Sequence, residues 1–104
     1  MKNTLFVPMA LAAGLMLSGL VQASDVQAGK AKYASCIACH GAQGAGTPMS
    51  PVPIAGRDSG EIAALLARYR AGETVGPQSA LMFANVRGLS DEDIANLAAY
   101  IASM

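Results

Sequence analysis

Both cysteines of this chain and its only histidine lie within five consecutive residues, as Cys36, Cys39 and His40. Two thiols three positions apart, followed at once by an imidazole, match the signature that attaches a haem covalently to a protein. Each thiol can add to one vinyl group of the porphyrin, and the adjacent imidazole is then placed under the iron. This pentapeptide constrains the fold more than any other feature, because the rest of the chain must surround one large, planar, apolar group.

Three other chemistries use closely spaced cysteines. A disulfide between Cys36 and Cys39 is allowed in an oxidising compartment. A thioredoxin-like redox pair requires a preceding β-strand, and none is predicted here. A zinc site requires a fourth ligand of the usual type, but the chain has no further cysteine or histidine. We therefore favour the haem interpretation and expect one covalently bound haem c as the cofactor.

The first residues of the chain are typical of a secretory signal peptide. A single charge, Lys2, precedes a largely apolar stretch at 5–17, and small residues before a break after Ala23 form a cleavage site. We predict a signal peptide at 1–23, removed on export to the periplasm, and one mature domain at 24–104. An uncleaved anchor is the alternative, and it would tether the same domain to the inner membrane, still facing the periplasm.

Composition limits what the mature domain can do. The chain has 7 basic and 7 acidic residues, so its balanced charge argues against nucleic-acid binding. It has no tryptophan, and its 104 residues leave no room for a second domain or a large substrate cleft of its own. A helical core this poor in aromatic bulk normally requires a disulfide, a metal or a prosthetic group.

Capping residues and apolar spacing predict three helices. Asp25 caps a first helix that runs toward the haem motif, and Gly41 marks its end. Asp58 caps a second helix that stops at Gly72, and Ser90 begins a third whose first turn is acidic. The apolar stripes of the second and third helices are Ile62, Leu65, Leu66 and Tyr69, and Ile94, Leu97, Ala98 and Ile101. No alternating run of β-branched residues occurs in the mature chain, so no sheet is predicted.

Two segments between these helices are predicted as loops. Residues 41–56 contain four glycines and three prolines, a composition that does not continue a helix. Residues 74–86 carry no charge and include Met82, so we expect this segment to pack against an apolar partner.

Several stretches beyond the haem motif resemble the small class I cytochromes c, the bacterial single-domain kind often called cytochrome c5 or c553. They are Gly29 and Tyr33 ahead of the cysteines, Gly41 after the histidine, the turn at 53–56 and the closing run at 89–101. The resemblance implies an all-α cytochrome c fold, with three to four helices wrapped around one covalently attached haem.

The resemblance also implies contacts. Gly29 and Tyr33 would pack against Leu97 and Tyr100, and the missing Cβ of Gly29 would let the two helices cross closely. A carbonyl of the turn at 53–56 would accept the Nδ1 proton of His40. In this chain two prolines, at 51 and 53, flank the position at which the family has its own proline.

The sixth iron ligand is expected to be a methionine, because a thioether lets a histidine-ligated haem carry electrons at raised potential. The mature chain offers Met49, Met82 and Met104. Met82 is favoured, because it lies ahead of the last helix, where the family places its axial methionine. Met49 lies in the glycine- and proline-rich loop, and Met104 is expected to fray at the chain end.

A His40/Met82 pair would fill both axial positions of the iron, so we predict an electron carrier and not an enzyme. Its partners would be redox proteins that dock transiently at the exposed haem edge. The alternative is a permanently docked cytochrome subunit of an oxidoreductase, such as a flavin-containing sulfide dehydrogenase. A gas-binding or peroxidase haem would require that Met82 does not bind the iron.

Overall fold

The computed structural model describes residues 24–104, and the predicted signal peptide at 1–23 lies outside the described residues. The helical elements, in chain order, are α1 (Val26–Tyr33), a 3-10 turn (Ala34–Cys36), α2 (Ile37–His40), α3 (Ser59–Arg70), α4 (Ser79–Val86) and α5 (Asp91–Ala102). Because α1, the turn and α2 are continuous, the described chain has four helical regions, and it has no strand beyond an isolated bridge between Thr47 and Ser50. The predicted all-α fold is confirmed. No helix within 24–104 has the length and apolarity needed to cross a bilayer.

The start of α1 is capped as predicted and is also tied to the far end of the chain. The Asp25 carboxylate accepts hydrogen bonds from the backbone N–H groups of Gln27 and Ala28, at 2.9 and 3.1 Å. The Asp25 N–H donates to the Asn96 side-chain oxygen at 2.8 Å, and Asn96 is buried in α5. This long-range bond fixes where α1 meets α5.

The crossing of α1 and α5 is as close as predicted. A Cβ added to Gly29 would lie 2.0 Å from the backbone oxygen of Asn96 and 2.9 Å from the Cβ of Tyr100. One turn further on, the ring of Tyr33 meets that of Tyr100 edge to face, with centroids 5.4 Å apart. Only glycine at position 29 allows the two backbones this approach.

The core lies where α5 packs against α1 and α3. The buried apolar side chains are Tyr33, Ile62, Leu66, Val86, Ile94, Leu97, Ala98 and Ile101. All four positions of the predicted α5 stripe are therefore buried, whereas in α3 Leu65 and Tyr69 are half-buried.

The ends of α3 follow the predicted signals with one difference. The Asp58 carboxylate accepts from the Glu61 N–H at 2.9 Å, as a cap should. The spacing of Asp58 and Glu61 also predicts a reciprocal bond from the Glu61 side chain to the Asp58 backbone, but Glu61 pairs with Arg57 instead. Gly72 follows the last turn with φ +79°, a conformation that ends the helix.

The prediction of a loop throughout residues 74–86 is wrong for its second half, which forms α4. This helix has no side-chain cap at its first residue and no charge in its first turn, so the usual start signals are missing. The Ser79 hydroxyl instead organises the preceding turn by accepting from the N–H groups of Val75 and Gly76, both at 2.8 Å. Good helix formers such as Ala80, Leu81 and Met82 then continue the helix.

The cap of α5 yields a prediction about stability in acid. The Ser90 hydroxyl accepts from the Asp93 N–H and the Asp93 carboxylate accepts from the Ser90 N–H, both at 3.0 Å. This backbone donor holds the pKa of Asp93 below its ordinary value of 3.8. The resulting stability is therefore present above the ordinary pKa and is lost as the pH falls through the lowered, folded-state pKa.

We expect Ser90→Ala to reduce the free energy of unfolding by about 1 kcal/mol at neutral pH, measured by urea titration of the haem-loaded protein. Asp93→Asn should weaken the acid dependence of stability, because an amide does not titrate in this range. The matched control for Ser90→Ala is Ser103→Ala, which removes a hydroxyl at the other end of α5. An acid limb as steep in Asp93→Asn as in the parent would contradict this role.

Candidate haem site

The cysteines and the histidine of the motif lie in one short helical stretch. Cys36 ends the 3-10 turn, and Cys39 and His40 close α2. Both cysteines are half-buried free thiols. Burial raises the pKa of the Cys36 thiol. The two sulfurs lie on adjacent turns of this stretch, at the spacing that covalent haem attachment uses.

The carbonyls that end α2 are held by the loop that follows them. The Thr47 hydroxyl donates to the Cys39 carbonyl at 2.6 Å, and the Gly46 N–H donates to the His40 carbonyl at 2.9 Å. The buried Tyr33 hydroxyl donates to the Gly41 carbonyl at 2.6 Å. Because the last carbonyls of a helix have no partner within it, these three bonds fix the motif against the rest of the chain.

His40 is half-buried, and this burial lowers its pKa. The neutral imidazole, which is the form that binds a metal, is therefore favoured. Its Nδ1 atom lies 3.4 Å from the Ser50 hydroxyl. Nδ1 has this contact, so Nε2 is the ring atom that could bind a metal.

The turn that resembles the family's proline turn makes other bonds. The N–H groups of Ile54 and Ala55 donate to the Gly44 carbonyl at 2.8 and 3.1 Å, and the Gly56 N–H donates to the Ile101 carbonyl at 3.0 Å. None of these bonds involves the His40 ring, and the contact that the structure gives Nδ1 is the Ser50 hydroxyl in place of the expected carbonyl.

The three methionines have different environments. Met82 is half-buried on α4 and packs against the core, whereas Met49 is 58% exposed. The expectation that Met104 frays is wrong, because its side chain packs against the core and its sulfur lies 2.8 Å from where a Gly44 Cβ would be. The structure thus brings Cys36, Cys39 and His40 together and places Met82 on a separate helix that packs on α3.

Large apolar side chains are exposed on the elements that carry the haem motif and Met82, and they bear on whether a haem fits there. The exposed fractions are 42% for Ile37, 58% for Met49, 65% for Val52 and 60% for Leu81. They lie on α2, on the loop that follows it and on α4, the elements that carry the motif and Met82. Apolar surface is stabilised when a large apolar group removes it from water, by about 25 cal/mol per Å². The donor set and this surface therefore fit a haem.

Sequence reasoning did not find the roles of Thr47 and Ser50. Both are small polar residues in a loop, where no spacing rule indicates a partner. The neighbouring glycines were the one available sign that this loop folds back onto α2. Gly41 and Gly46 have φ of +84° and +95°, conformations that favour glycine.

Comparisons with known proteins agree with this geometry. The sequence profile of the Cytochrome c family matches residues 26–104. Cytochrome c-554(547) of Halothiobacillus neapolitanus is 43% identical over 91 positions, which cover 79% of this chain and 99% of that protein. Cytochrome c-553 of Nitratidesulfovibrio vulgaris is 32% identical over 105 positions and is matched over 100% of both chains. The chain belongs to the cytochrome c family.

Within that family it is a small class I c-type cytochrome, which carries covalently attached haem c and transfers electrons between redox partners. A further relative, the thiosulfate dehydrogenase electron acceptor of Stutzerimonas stutzeri, is 33% identical over 69 positions. That match covers 66% of this chain and 32% of the relative.

Proposed function

We propose that the mature chain carries single electrons in the periplasm on a haem c whose iron is bound by His40 and Met82. The observation that carries this proposal is the motif itself, in which two cysteine side chains and one imidazole share a helical stretch and Nδ1 of the imidazole contacts the Ser50 hydroxyl. Cys36 and Cys39 would form the two thioether links.

The bound haem supplies an iron that cycles between the ferrous and ferric states. His40 would hold one axial position, and Met82 supports the second assignment because it is a half-buried thioether on an element with exposed apolar surface. A methionine ligand and an apolar shell both favour the ferrous state, so both raise the reduction potential. With both positions filled by the protein, exogenous ligands and substrates would be excluded from the iron.

The periplasmic location rests on the N-terminal sequence, which has the charge, apolar stretch and small residues of a cleaved signal. Electrons would pass through the exposed haem edge to partners that dock briefly. Such encounters bury a small area and dissociate quickly.

A second candidate function is that of a dedicated subunit of an oxidoreductase. It is favoured by the relative whose name describes it as the electron acceptor of a thiosulfate dehydrogenase. The stretch at 69–73 also resembles the cytochrome subunit of flavin-containing sulfide dehydrogenases. In either case the haem chemistry of this chain would be the same.

The carrier function is tested by a spectroelectrochemical titration of the mature protein, produced in a host with a c-type cytochrome maturation system. We expect a reversible one-electron couple with a low-spin spectrum in both oxidation states. A couple that is not reversible, or a preparation that turns over peroxide, would contradict an electron carrier.

The choice between a free carrier and a subunit is tested by isolating the native protein under mild conditions and measuring its mass by sedimentation. A free carrier sediments as this chain alone or as a pair of copies. Stoichiometric co-sedimentation with a flavin-containing protein would instead establish the subunit.

A further inference from the structure

The Ser50 hydroxyl, in the loop that follows α2, lies beside the ring of His40. We propose that Ser50 is a positioning residue for the haem iron, whose hydroxyl accepts the Nδ1 proton of His40 and so sets the donor strength of the axial imidazole. This inference rests on the proposed function, in which His40 binds the iron. It replaces the backbone carbonyl expected from the family resemblance by a side chain that can be mutated.

The direction of the hydrogen bond follows from iron binding. A histidine that offers the lone pair of Nε2 to a metal must carry its proton on Nδ1. Nδ1 therefore donates, and the Ser50 oxygen, 3.4 Å away, is the acceptor that the structure places beside it.

Ser50 is held in place by bonds to the same stretch of chain as His40. Its N–H donates to the Thr47 carbonyl and its carbonyl accepts from the Thr47 N–H, both at 3.0 Å. The Thr47 hydroxyl is bonded at 2.6 Å to the carbonyl of Cys39, the residue before the histidine. These bonds tie Ser50, through Thr47, to the haem motif. The position of its hydroxyl beside His40 is therefore fixed by the loop.

The hydrogen bonds that the structure gives the turn at 53–56 do not involve the His40 ring. The turn at 53–56 is fixed by the bonds of its N–H groups to Gly44 and Ile101. Val52, which stands where the family has its proline, is 65% exposed. The structure assigns no carbonyl of this turn to Nδ1.

An acceptor on Nδ1 makes the imidazole a stronger donor to the iron, which stabilises the ferric state. Removal of the acceptor should therefore favour the ferrous state. At a fixed applied potential, we expect Ser50→Ala to increase the ratio of reduced to oxidised protein several-fold. Ser50→Thr retains the hydroxyl and should return the ratio to within twofold of the parent.

The matched control is Ser103→Ala. Its hydroxyl also makes one hydrogen bond, to the Tyr100 carbonyl at 2.6 Å, but lies at the end of α5. A loss of packing or stability alone would affect both alanine variants without a directed change in potential. An unchanged ratio in Ser50→Ala, with normal haem loading, would overturn the proposal.

A second measurement uses the proton itself, and its first part needs only the parent protein. In the diamagnetic ferrous protein, proton NMR should show the Nδ1 proton of His40 close to the Ser50 β-protons, exchanging slowly with water. In Ser50→Ala this exchange should become at least tenfold faster. Proximity to the protons of Val52 or Pro53 in place of Ser50 would overturn the proposal.

Failure of this inference is distinct from failure of the proposed function. If the parent protein lacks a low-spin one-electron couple, the His40/Met82 assignment fails before Ser50 is considered. If the parent has that couple and the Ser50 variants match it, only the role of Ser50 is wrong.

Discussion

Replacement of Met82 by alanine is expected to convert a closed, low-spin haem protein into one with an open sixth position. The ferrous variant should bind carbon monoxide readily, and the weak far-red sulfur–iron band of the oxidised protein should vanish. The reduction potential should fall by on the order of 0.1 V or more, because a methionine ligand raises it and axial ligands spread haem potentials over about 0.8 V. Absorption spectra and a redox titration measure all three changes.

Met49→Ala is the matched control for this experiment. It removes the same thioether from a side chain that is 58% exposed in the loop after the haem motif. We expect it to retain the low-spin spectrum and the far-red band. If Met49→Ala opens the site and Met82→Ala does not, the axial ligand is Met49, and the assignment to α4 is wrong.

Replacement of Gly29 by alanine is expected to cost about 3 kcal/mol or more of folding free energy, or to prevent haem loading. The added Cβ would lie 2.0 Å from the Asn96 backbone oxygen, so α1 and α5 would have to separate. A side-chain rotation cannot relieve this clash, because the two nearest atoms belong to the backbone of Asn96. The higher helix propensity of alanine returns only about 1 kcal/mol.

Gly88→Ala controls for the loss of a glycine as such, because a Cβ at position 88 would meet no atom within 4 Å. Its unfolding free energy should stay within about 0.5 kcal/mol of the parent, measured by urea titration of the haem-loaded protein. A Gly29→Ala protein as stable as Gly88→Ala would contradict the close crossing of the two helices.

The parts of the fold that were predictable are those with local signals. The acidic first turn and the apolar stripe of α5 both lie within one short segment of the sequence. The predicted caps at Asp25, Asp58 and Ser90 all form. The haem motif was predictable for the same reason, since its chemistry needs only five adjacent residues. The resemblance to the cytochromes c added the pairing of α1 with α5.

What escaped prediction depends on the path of the chain in three dimensions. α4 begins without a capping bond from Gln78, and the Ser79 hydroxyl bonds to the backbone of the preceding turn. The contact between Ser50 and His40 spans ten residues and exists only because the loop folds onto the end of α2. Met104 packs beside Gly44, a contact that no local pattern indicates.

The most direct test of the proposed redox centre is the absorption spectrum of the ferrous, haem-loaded mature protein before and after exposure to carbon monoxide. An iron held by His40 and Met82 should give a low-spin spectrum that carbon monoxide leaves unchanged. A high-spin spectrum, or one that carbon monoxide shifts readily, would show an open sixth position. The protein would then bind ligands or catalyse a reaction at its haem, and the electron-carrier function would be contradicted.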